Sequence, residues 1–366
     1  MGEHPIVPDY GGACVCNLVP ALLEPGDDTP AWMPEGVVDA EQVVLLLLDG
    51  LGWEQLQARA ALAPTLAGFA GGPVLTVAPS TTATALTSIS TGLPPGEHGI
   101  VGYRMNMEGS ILNVLRWSTP GGDARASSPP LRTQVHESFL GHRPAIVTRA
   151  EFAQSGFTQA HLDGVRFSGY RVTSTLVTEV ARTLRENEPF VYAYYDGIDK
   201  VAHEYGLGDH YDAELRFVDE LVAELVAVLP SGAALVVTSD HGQVDVGANT
   251  ISLPPEVLRH LDLQSGEGRF RWLHARPGHA ADLLEVATEL YRDVGWVVGV
   301  DTVLDEHWFG PRVSAAARAR LGDVALVARE PVAWLAPDDT GPFALISRHG
   351  SLTSAEMVVP ILGRCS

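Results

Sequence analysis

The sequence predicts an α/β protein with a mostly parallel central sheet and helices on both faces. Two observations support this prediction: short, continuous apolar runs recur along the chain, and helix-like stretches separate them. A strand covered on both faces is apolar throughout, and strands that alternate with helices pair in parallel. The length of 366 residues and the apolar content of 46% fit one large α/β domain with an insertion, or about two domains.

The apolar runs and the helical patterns alternate along the first 250 residues. A continuous apolar run predicts a buried strand, whereas apolar residues three to four positions apart predict a helix packed on the sheet. We therefore expect strands at residues 43–48, 74–77, 145–148, 190–195 and 233–238, and helices at residues 176–184 and 213–229.

Residues 251–340 depart from this pattern and predict a small α+β insertion. Two segments rich in Pro or Gly open the region. The elements expected after them are a strand at 270–274, a helix at 280–293 and a strand at 296–300. We expect the chain to return to the main sheet near residues 343–347. The predicted core therefore consists of residues 1–250 and 341–366.

A second irregular stretch lies between the strands predicted at 74–77 and 145–148. Residues 104–143 contain the dipeptides Gly121-Gly122 and Pro129-Pro130, which are typical of turns and loops. We expect this stretch to form a loop or a cap over the functional site.

The charge balance limits the classes of partner. Lys and Arg together number 24, and Asp and Glu together number 45, which gives a net charge of −21 at pH 7. Nucleic acid duplexes and anionic membranes are bound by clustered cations, so this balance argues against both partners. A small phosphorylated substrate is compatible with it, because a bound metal ion supplies local positive charge.

The N-terminus and the cysteines favour a cytoplasmic protein. The longest aliphatic run has six residues, far fewer than a membrane-spanning helix needs, and the first ten residues do not resemble a signal peptide. Three cysteines are too few for a disulfide framework. Cys14 and Cys16 have no partner pair that would complete a metal site, so we interpret them as buried thiols. The oligomeric state is not predicted.

Polar residues that follow the predicted strands are the candidates for a functional site, because open α/β sheets bind ligands at the carboxyl ends of their strands. These positions are all Asp or His: Asp49, Asp199, His203, Asp240, His241 and His349. Carboxylate oxygens and imidazole nitrogens together suit zinc or a similar divalent metal ion. The combination predicts a metal site at this edge of the sheet.

The spacing of these residues indicates a metal site only when the pairs are taken together, because each pair alone has another explanation. Asp199 and His203 are four residues apart, so both lie on one face of a helix and can reach one ion, although a surface Asp–His pair has the same spacing. Asp240 and His241 are adjacent and converge only at a sharp turn, which Gly242 allows. A loop with a solvent-facing histidine is the alternative for this pair.

A hydroxyl-rich segment, residues 79–88, follows the strand predicted at 74–77 and precedes a helix. The N-terminus of a helix offers free N–H groups and a positive dipole end to an anion. A hydroxyl there could attack phosphorus if a metal ion lowered its pKa. The same residues are also ordinary N-caps, and composition alone does not show which hydroxyl is special.

Five blocks carry a family resemblance when they are taken together. They are V-V-L-L-L-L-D-G at 43–50, P-S-T-T-A-T-A-L-T-S-I-S-T-G-L-P-P-G-E-H-G-I at 79–100, Y-Y-D-G-I-D-K-V-A-H-E-Y-G at 194–206, V-V-T-S-D-H-G at 236–242 and H-G-S-L-T-S-A-E-M-V-V-P at 349–360. In content, order and spacing they resemble the type I phosphodiesterase/nucleotide pyrophosphatase family of the alkaline phosphatase superfamily. The resemblance implies an alkaline-phosphatase-like fold, and residues 104–143 and 251–340 lie outside it.

The resemblance also implies a two-metal hydrolase with a threonine nucleophile. One ion would be held by Asp199, His203 and His349, and the other by Asp49, Asp240, His241 and the nucleophile. Counting back from Thr91-Gly92 aligns the nucleophile with Thr82, next to Thr81. Zinc is the first choice of metal, with manganese or iron as alternatives. The family scheme proceeds through a phospho-threonine intermediate that water releases.

One position departs from the family pattern. Diesterase-type members commonly carry, after the H-G-I block, an asparagine that donates to a phosphoryl oxygen, and this chain has Tyr103 there. We expect Tyr103 to contact substrate, with packing in the core as the alternative. Further candidates for contacts to substrate anions, each with a surface position as the alternative, are Arg104, Arg116, Arg166 and Lys200.

The predicted function is the hydrolysis of phosphate diesters or pyrophosphates by an enzyme of the nucleotide pyrophosphatase/phosphodiesterase type. A phosphomonoesterase or phosphonate hydrolase on the same scaffold is the alternative among enzymes, because the motifs do not separate these activities. A catalytically silent metal-binding protein is the alternative of another class. We expect substrate specificity to depend on residues 104–143 and, after them, on residues 251–340.

Overall fold

The computed structural model describes residues 4–337, 339 and 344–366, in which the chain forms 15 α-helices, 19 strands and five short 3₁₀ helices. The strands are β1 Gln42–Leu48, β2 Ala70–Leu75, β3 Arg104–Met107, β4 Ser110–Asn113, β5 Ser118–Thr119, β6 Gly122–Asp123, β7 Ala145–Arg149, β8 Arg166–Tyr170, β9 Phe190–Tyr195, β10 Ala233–Thr238, β11 Val244–Asp245, β12 Thr250–Ser252, β13 Leu261–Gly266, β14 Phe270–Ala275, β15 Gly295–Gly299, β16 Val324–Ala328, β17 Ala333–Leu335, β18 Ser347–Arg348 and β19 Val358–Cys365.

The helices are mostly short. The α-helices are α1 Leu18–Leu23, α2 Trp53–Gln57, α3 Pro64–Ala67, α4 Thr82–Thr91, α5 Pro95–His98, α6 Pro130–Thr133, α7 Gly156–His161, α8 Ser174–Arg185, α9 Gly197–Tyr205, α10 Asp209–Ala227, α11 Pro255–Leu258, α12 Ala280–Tyr291, α13 Val300–Asp305, α14 Ala315–Arg320 and α15 Ser354–Met357. The 3₁₀ helices are Val15–Asn17, Val37–Asp39, Ala60–Leu62, Ser138–Gly141 and Ala150–Phe152. None of the helices in this described part of the chain is long and apolar enough to span a membrane.

A seven-stranded sheet forms the centre of the fold, in the order β2-β19-β10-β1-β9-β7-β8. β1 pairs in parallel with both β10 and β9, and parallel pairing continues through β7 to β8. β19 runs antiparallel to its two neighbours, β10 and β2. The sheet is therefore mixed and mostly parallel, and the predicted fold class is confirmed.

Successive side chains of β1 point to opposite faces of the sheet, and each face is covered by helices. Val43 and Leu45 belong to a core that also contains residues of α1 and α4. Val44 and Leu46 belong to a second core that contains residues of α8 and α10. Because both faces are buried, the strand is apolar from residue 43 onwards, which is the pattern that predicted it.

Four of the five strands predicted in the first 250 residues coincide with β1, β7, β9 and β10 to within one residue. The strand predicted at 74–77 is displaced, because β2 ends at Leu75 and begins at Ala70. β2 lies at an edge of the sheet, and its Ala-Gly-Gly-Pro start has the composition of a turn. A rule based on apolar runs therefore misses the first half of this strand.

The predicted return to the main sheet near residues 343–347 is not where the described chain rejoins it. Residues 340–343 lie outside the described residues, and Ser347 belongs to β18, which pairs with β11 in a separate two-stranded sheet. The chain re-enters the central sheet with β19, between β2 and β10. β19 contributes the buried side chains of Val359 and Ile361 to the core, whereas β18 is only two residues long.

The region predicted as an insertion contains a four-stranded antiparallel sheet in the order β13-β14-β16-β15. The predicted strand, helix and strand of this region are β14, α12 and β15. One face of the sheet places Phe270, Trp272 and Val327 in the same core as α4. The other face packs Leu273 and Leu326 with residues of α12. The two sheets thus share a core, and the division of the chain at 251 and 340 stays a prediction.

Residues 104–143, predicted as a loop or cap, contain a small antiparallel sheet in the order β3-β4-β5-β6 and the short helix α6. Trp117, between β4 and β5, is buried and donates from Nε1 to the Ser128 carbonyl at 2.8 Å. The same ring lies so close to Gly156, the first residue of α7, that a Cβ there would be 2.2 Å from it. This stretch therefore supports α7.

Candidate active site

The Asp and His residues predicted as metal ligands meet at the carboxyl ends of β1, β9 and β10. Asp49 directly follows β1, and Asp240 follows β10 after one residue. β9 leads into α9, which carries Asp199 and His203 four residues apart on one face. Since the three strands are parallel neighbours, their ends bring these side chains to one place.

His349 reaches the same place by another route, because it follows β18 and not a strand of the central sheet. Its neighbour Gly350 forms an isolated bridge with Ser80, in the segment before α4. Nδ1 of His349 donates to the Ser80 carbonyl at 2.9 Å, and the His349 ring stacks on the His241 ring with centroids 3.5 Å apart. The loop that carries His349 is thus fastened to the start of α4.

Two glycines allow these loops to approach one another. Gly50 has a φ of +76°, and a Cβ at this position would lie 3.0 Å from Cβ of Asp199. A Cβ on Gly242 would lie 2.0 Å from the carbonyl oxygen of Ala355. The sequence predicts a sharp turn at Gly242, but this residue does not have a positive φ. Glycine is needed here because the Ala355 carbonyl leaves no space for a side chain.

Backbone carbonyls determine which ring nitrogen of each histidine faces the site. Nδ1 of His203 donates to the Ser347 carbonyl at 2.7 Å, and Nδ1 of His241 donates to the Gly242 carbonyl at 3.0 Å. A carbonyl oxygen only accepts hydrogen bonds, so Nδ1 carries the proton and Nε2 presents a lone pair. His349 is held in the same way. Histidines that bind metal ions are typically oriented by such a contact.

Asp199, His203 and His349 form one group of potential ligands. Oδ1 of Asp199 lies 3.2 Å from Nε2 of His203 and 3.8 Å from Nε2 of His349. The carboxylate is oriented by Gln243, whose Nε2 donates to Asp199 Oδ1 at 2.6 Å. The hydroxyl of Ser347 in turn donates to Oε1 of Gln243 at 3.1 Å. The two imidazoles and the carboxylate therefore face one another in fixed orientations.

Asp49, Asp240 and His241 form the second group, with Thr82 beside them. Nε2 of His241 lies 3.4 Å from Oδ1 of Asp49, 3.4 Å from Oδ2 of Asp240 and 3.2 Å from Oγ1 of Thr82. Both carboxylate oxygens are buried and have no hydrogen-bond partner within the described residues. When both carboxyl groups are ionised, these four electron-pair donors share one proton, that of the threonine hydroxyl. Such a set fits a divalent metal ion.

The two groups adjoin, and burial and charge shift their pKa values. One ligand atom of Asp199 also lies within 4.8 Å of atoms of Asp49 and His241. Burial raises the pKa of Asp49 well above its usual value, and the charges of Asp240 and Asp199 raise it further. Burial also raises the pKa of Asp240. Burial and the neighbouring imidazoles lower the pKa of His349, which favours the neutral form that binds metal ions.

Thr82 is the first residue of α4, and its hydroxyl faces His241. Thr81 is the N-cap residue and makes no capping hydrogen bond with its side chain. The first amide of this helix to bond to a carbonyl four residues back belongs to Ala85, which donates to Thr81 at 2.9 Å. The amides before it have no partner in the helix. The start of α4 therefore presents a hydroxyl and amide donors suited to an anion.

A cavity of about 210 Å³ opens beside Asp49 and Thr82. Its apolar wall consists of Leu86, Leu115, Phe152, Phe157, Leu162 and Tyr192, and its polar lining includes Thr148, Ser155, Thr158, His161, Asp196 and Lys200. Among these described lining residues, Leu115 alone comes from 104–143 and none comes from 251–340. The segment 152–162 supplies the largest share, and the sequence analysis did not single it out.

Tyr103 is not among the residues that line this cavity. Its hydroxyl accepts a hydrogen bond from Nδ2 of Asn113 at 2.6 Å, and its N–H donates to Glu267 at 3.0 Å. A role of Tyr103 in substrate binding stays a prediction. Of the cationic candidates, Lys200 lines the cavity and pairs with Asp196 at 2.6 Å.

Two residues next to the ligands were not predicted. The hydroxyl of Tyr194 donates to Oδ2 of Asp49, and Gln243 orients Asp199 as described above. Tyr194 is the second-last residue of β9, and Gln243 directly follows the S-D-H-G motif. Closeness to a strand end was the signal that could have identified both.

Solved structures with the same architecture support the fold assignment. Murine ectonucleotide pyrophosphatase/phosphodiesterase 5, in an inactive form with AMP, has a TM-score of 0.67 and 15% identity over 88% of this chain and 87% of that chain. The human protein of the same name has a TM-score of 0.66 and 16% identity over 88% of each chain. Phosphonoacetate hydrolase from Sinorhizobium meliloti 1021, with phosphonoformate, has a TM-score of 0.59 and 19% identity over 88% of this chain and 90% of that chain.

At such low sequence identity, the solved structures indicate a shared fold. The family is identified by comparison of the sequence itself. No curated protein matches the chain by sequence. The profile of the type I phosphodiesterase/nucleotide pyrophosphatase family matches residues 43–350, a span that contains all six Asp and His ligand candidates and Thr82. The chain therefore belongs to the type I phosphodiesterase/nucleotide pyrophosphatase family, as its sequence blocks predicted.

Proposed function

We propose that the protein hydrolyses phosphate diesters or pyrophosphates, with Thr82 as the nucleophile and two divalent metal ions, zinc by first choice. The observation that supports this most strongly is the set of donors around Nε2 of His241. Two buried carboxylate oxygens without hydrogen-bond partners among the described residues converge there with the hydroxyl that begins α4. A cytoplasmic location is part of the proposal and rests on the sequence.

Each ion has its own set of proposed ligands. Asp199, His203 and His349 would hold one ion, and Asp49, Asp240, His241 and Thr82 would hold the other. Bound divalent ions would lower the pKa of the threonine hydroxyl and neutralise charge on the phosphoryl oxygens. Gln243 and Tyr194 keep two of the carboxylates in position through their hydrogen bonds.

The reaction proceeds in two displacements at phosphorus. Oγ1 of Thr82 forms a bond to phosphorus while the bond between phosphorus and the leaving oxygen breaks, and the threonine proton passes to the leaving group, which produces a phospho-threonine and an alcohol or phosphate. Water then attacks phosphorus while the bond to Oγ1 breaks, and one proton of the water passes to Oγ1, which restores the threonine hydroxyl and releases the phosphate monoester. The first amides of α4 donate to the phosphoryl oxygens in both steps.

The cavity favours a substrate with an organic group on phosphorus. Its wall beside Thr82 is largely aliphatic and aromatic, and burying apolar surface there yields about 25 cal/mol per Å². Inorganic pyrophosphate has no such surface. The second candidate is a phosphonate, because a solved structure with this fold is a phosphonoacetate hydrolase.

Three substrates given to the zinc-loaded protein test the proposal: bis-p-nitrophenyl phosphate, p-nitrophenyl phosphate and phosphonoacetate. We expect kcat/KM for the diester to exceed that for the monoester by about tenfold or more, because its second aryl group occupies the cavity. A monoester preference would assign the protein to the phosphatases. Turnover of phosphonoacetate alone would favour the second candidate, and no turnover of any substrate would favour a catalytically silent metal-binding protein.

A further inference from the structure

A second cluster of potential metal ligands lies in the four-stranded sheet region, outside the groups described above. His260, His279 and Asp282 each place one ligand atom within 4.8 Å of the other two. They are not among the residues that line the described cavity, and the proposed reaction does not use them.

The three ligand atoms form a small triangle. Nδ1 of His260 lies 3.0 Å from Nδ1 of His279. Oδ2 of Asp282 lies 3.4 Å from Nδ1 of His279 and 3.8 Å from Nδ1 of His260. The point equidistant from the three atoms is about 2.0 Å from each, which is the bond length from zinc to an imidazole nitrogen or a carboxylate oxygen.

The same nitrogen of both rings faces the centre of this triangle. Two neutral imidazoles joined by one hydrogen bond use one proton and one lone pair. The carboxylate adds a second acceptor at the same point, so electron pairs outnumber protons there. A single cation accepts an electron pair from all three side chains at once.

The backbone around the cluster is held by hydrogen bonds. His260 lies between α11 and β13, and its carbonyl accepts from the N–H of Arg276 at 2.9 Å. His279 immediately precedes α12, and its carbonyl accepts from the N–H of Leu283 at 2.9 Å. Asp282 is in the first turn of the same helix, three residues after His279. A site built on such elements is positioned more precisely than one on a free loop.

We propose that His260, His279 and Asp282 form a zinc site that is separate from the active site. Two imidazoles with one carboxylate favour zinc over magnesium and calcium, which prefer oxygen ligands. The side chains of His279 and Asp282 are 44% and 58% exposed, so water has access to the remaining coordination position. The ion links the start of α12 to the segment before β13, and its binding stabilises this region.

The zinc content of the full chain tests the proposal. Wild type, His279→Ala, Asp282→Asn and the control His142→Ala are dialysed against micromolar free Zn²⁺, and zinc per chain is measured. His142 is a matched control, because it is also an exposed histidine beside one carboxylate, Glu24, at 3.5 Å. We expect His279→Ala to hold one zinc fewer than wild type and the control, and Asp282→Asn to bind that zinc about tenfold more weakly.

The same set of proteins can overturn the proposal. Equal zinc content and affinity in wild type, His279→Ala and Asp282→Asn would contradict it, and so would an equal loss in His142→Ala. Asp282 is exposed, so Asp282→Asn leaves the fold intact. Turnover of bis-p-nitrophenyl phosphate, where the protein shows it, is expected to be the same in all four proteins, which separates this zinc from the ions of the active site.

Discussion

Two adjoining regions of the molecule differ in chemistry and in what they contribute to stability. The ligand edge consists of the six Asp and His residues at the ends of β1, β9, β10 and β18, and it brings carboxylates together in a buried place where their ionisation is unfavourable. The cavity wall consists of the other residues that line the 210 Å³ cavity; most of them are buried, and Leu86, Phe157 and Leu162 are among its buried apolar side chains. Burying charge without a partner costs stability, whereas burying apolar surface supplies it.

The two regions also differ in how they are encoded. The ligand edge comes from short motifs that directly follow strands. The wall is assembled from α4, β9, the 3₁₀ helix Ala150–Phe152 and α7. α4 belongs to a motif block, but the segment 152–162, which supplies the largest share of the wall, carries no motif for ligand binding. Under the proposed function, the ligand edge supplies the reaction and the segment 152–162 contributes to substrate choice, so substitutions in the two regions are expected to have different effects.

The largest effect is expected from Thr82→Ala at the ligand edge. Because this removes the proposed nucleophile, kcat for bis-p-nitrophenyl phosphate is expected to fall by about a thousandfold or more, with zinc content nearly unchanged. Thr81→Ala is the control and should keep most of the activity. An inactive Thr81→Ala protein together with an active Thr82→Ala protein would transfer the role to Thr81.

The second expected effect concerns Asp49→Asn, which should weaken metal binding but stabilise the metal-free protein. Asp49→Asn removes the negative charge of a proposed metal ligand, so we expect metal affinity to fall about a hundredfold. The asparagine oxygen still accepts the hydrogen bond from Tyr194. The raised pKa of Asp49 means that its ionisation opposes folding, and the metal-free protein loses stability as pH rises above the ordinary carboxyl range. At pH 7 with a chelator, Asp49→Asn should therefore melt about 2–5 °C higher than wild type.

Asp196→Asn is the matched control for this prediction. Asp196 is also buried at the end of β9, but it pairs with Arg149 at 2.7 Å and with Lys200 at 2.6 Å. Loss of this paired carboxylate should lower the melting temperature of the metal-free protein. A lower melting temperature in both metal-free variants would contradict the prediction, because it would show that the Asp49 carboxylate does not destabilise the metal-free protein.

A smaller effect on activity is expected from the cavity wall. Phe157 is 6% exposed, and Phe157→Ala should lower the free energy of unfolding by about 3 kcal/mol. KM for bis-p-nitrophenyl phosphate should rise while kcat changes little, because the ring is proposed to contact the organic group and not the phosphorus. Phe217→Ala, at a 43% exposed position, is the control. Unchanged KM in Phe157→Ala would exclude the cavity as the substrate site.

The smallest effect concerns the pH dependence of stability. Burial lowers the pKa of His161 in the wall from 6.5 to about 4, so the folded protein favours the neutral ring. Its contribution is complete above pH 6.5 and is lost as pH falls toward 4, by about 3 kcal/mol at most. Urea unfolding of His161→Gln between these pH values should show a shallower decline than wild type. Parallel curves would contradict the prediction.

The strands and ligands that the sequence predicted share a local signal. β1, β9 and β10 are continuous apolar runs, and Asp49, Asp240 and His241 follow them within three residues. The pairing of Asp199 with His203 was predicted from their spacing of about one helix turn. These features depend on contiguous residues, and a single strand or turn encodes them.

Other features have no local signal. The start of β2 has the composition of a turn, and its edge pairing with β19 is what makes it a strand. His349 is brought to the site by the bridge between Gly350 and Ser80, across 270 positions of the chain. Leu115 and Phe157 line one wall, and Trp117, two residues after Leu115, packs against Gly156 at the start of α7.

By itself, the sequence determined the fold class, the family and the residue types available for metal binding, because apolar runs, strand-end motifs and helical spacing are properties of neighbouring residues. Which side chains from distant segments face one another follows from the packing of the whole chain. Four features depend on such contacts: the hydrogen bond from Tyr194 to Asp49, the hydrogen bond from Gln243 to Asp199, the apolar cavity beside Thr82, and the triangle of His260, His279 and Asp282. The physical reason is that such contacts depend on how whole sheets and helices pack, which no short segment specifies.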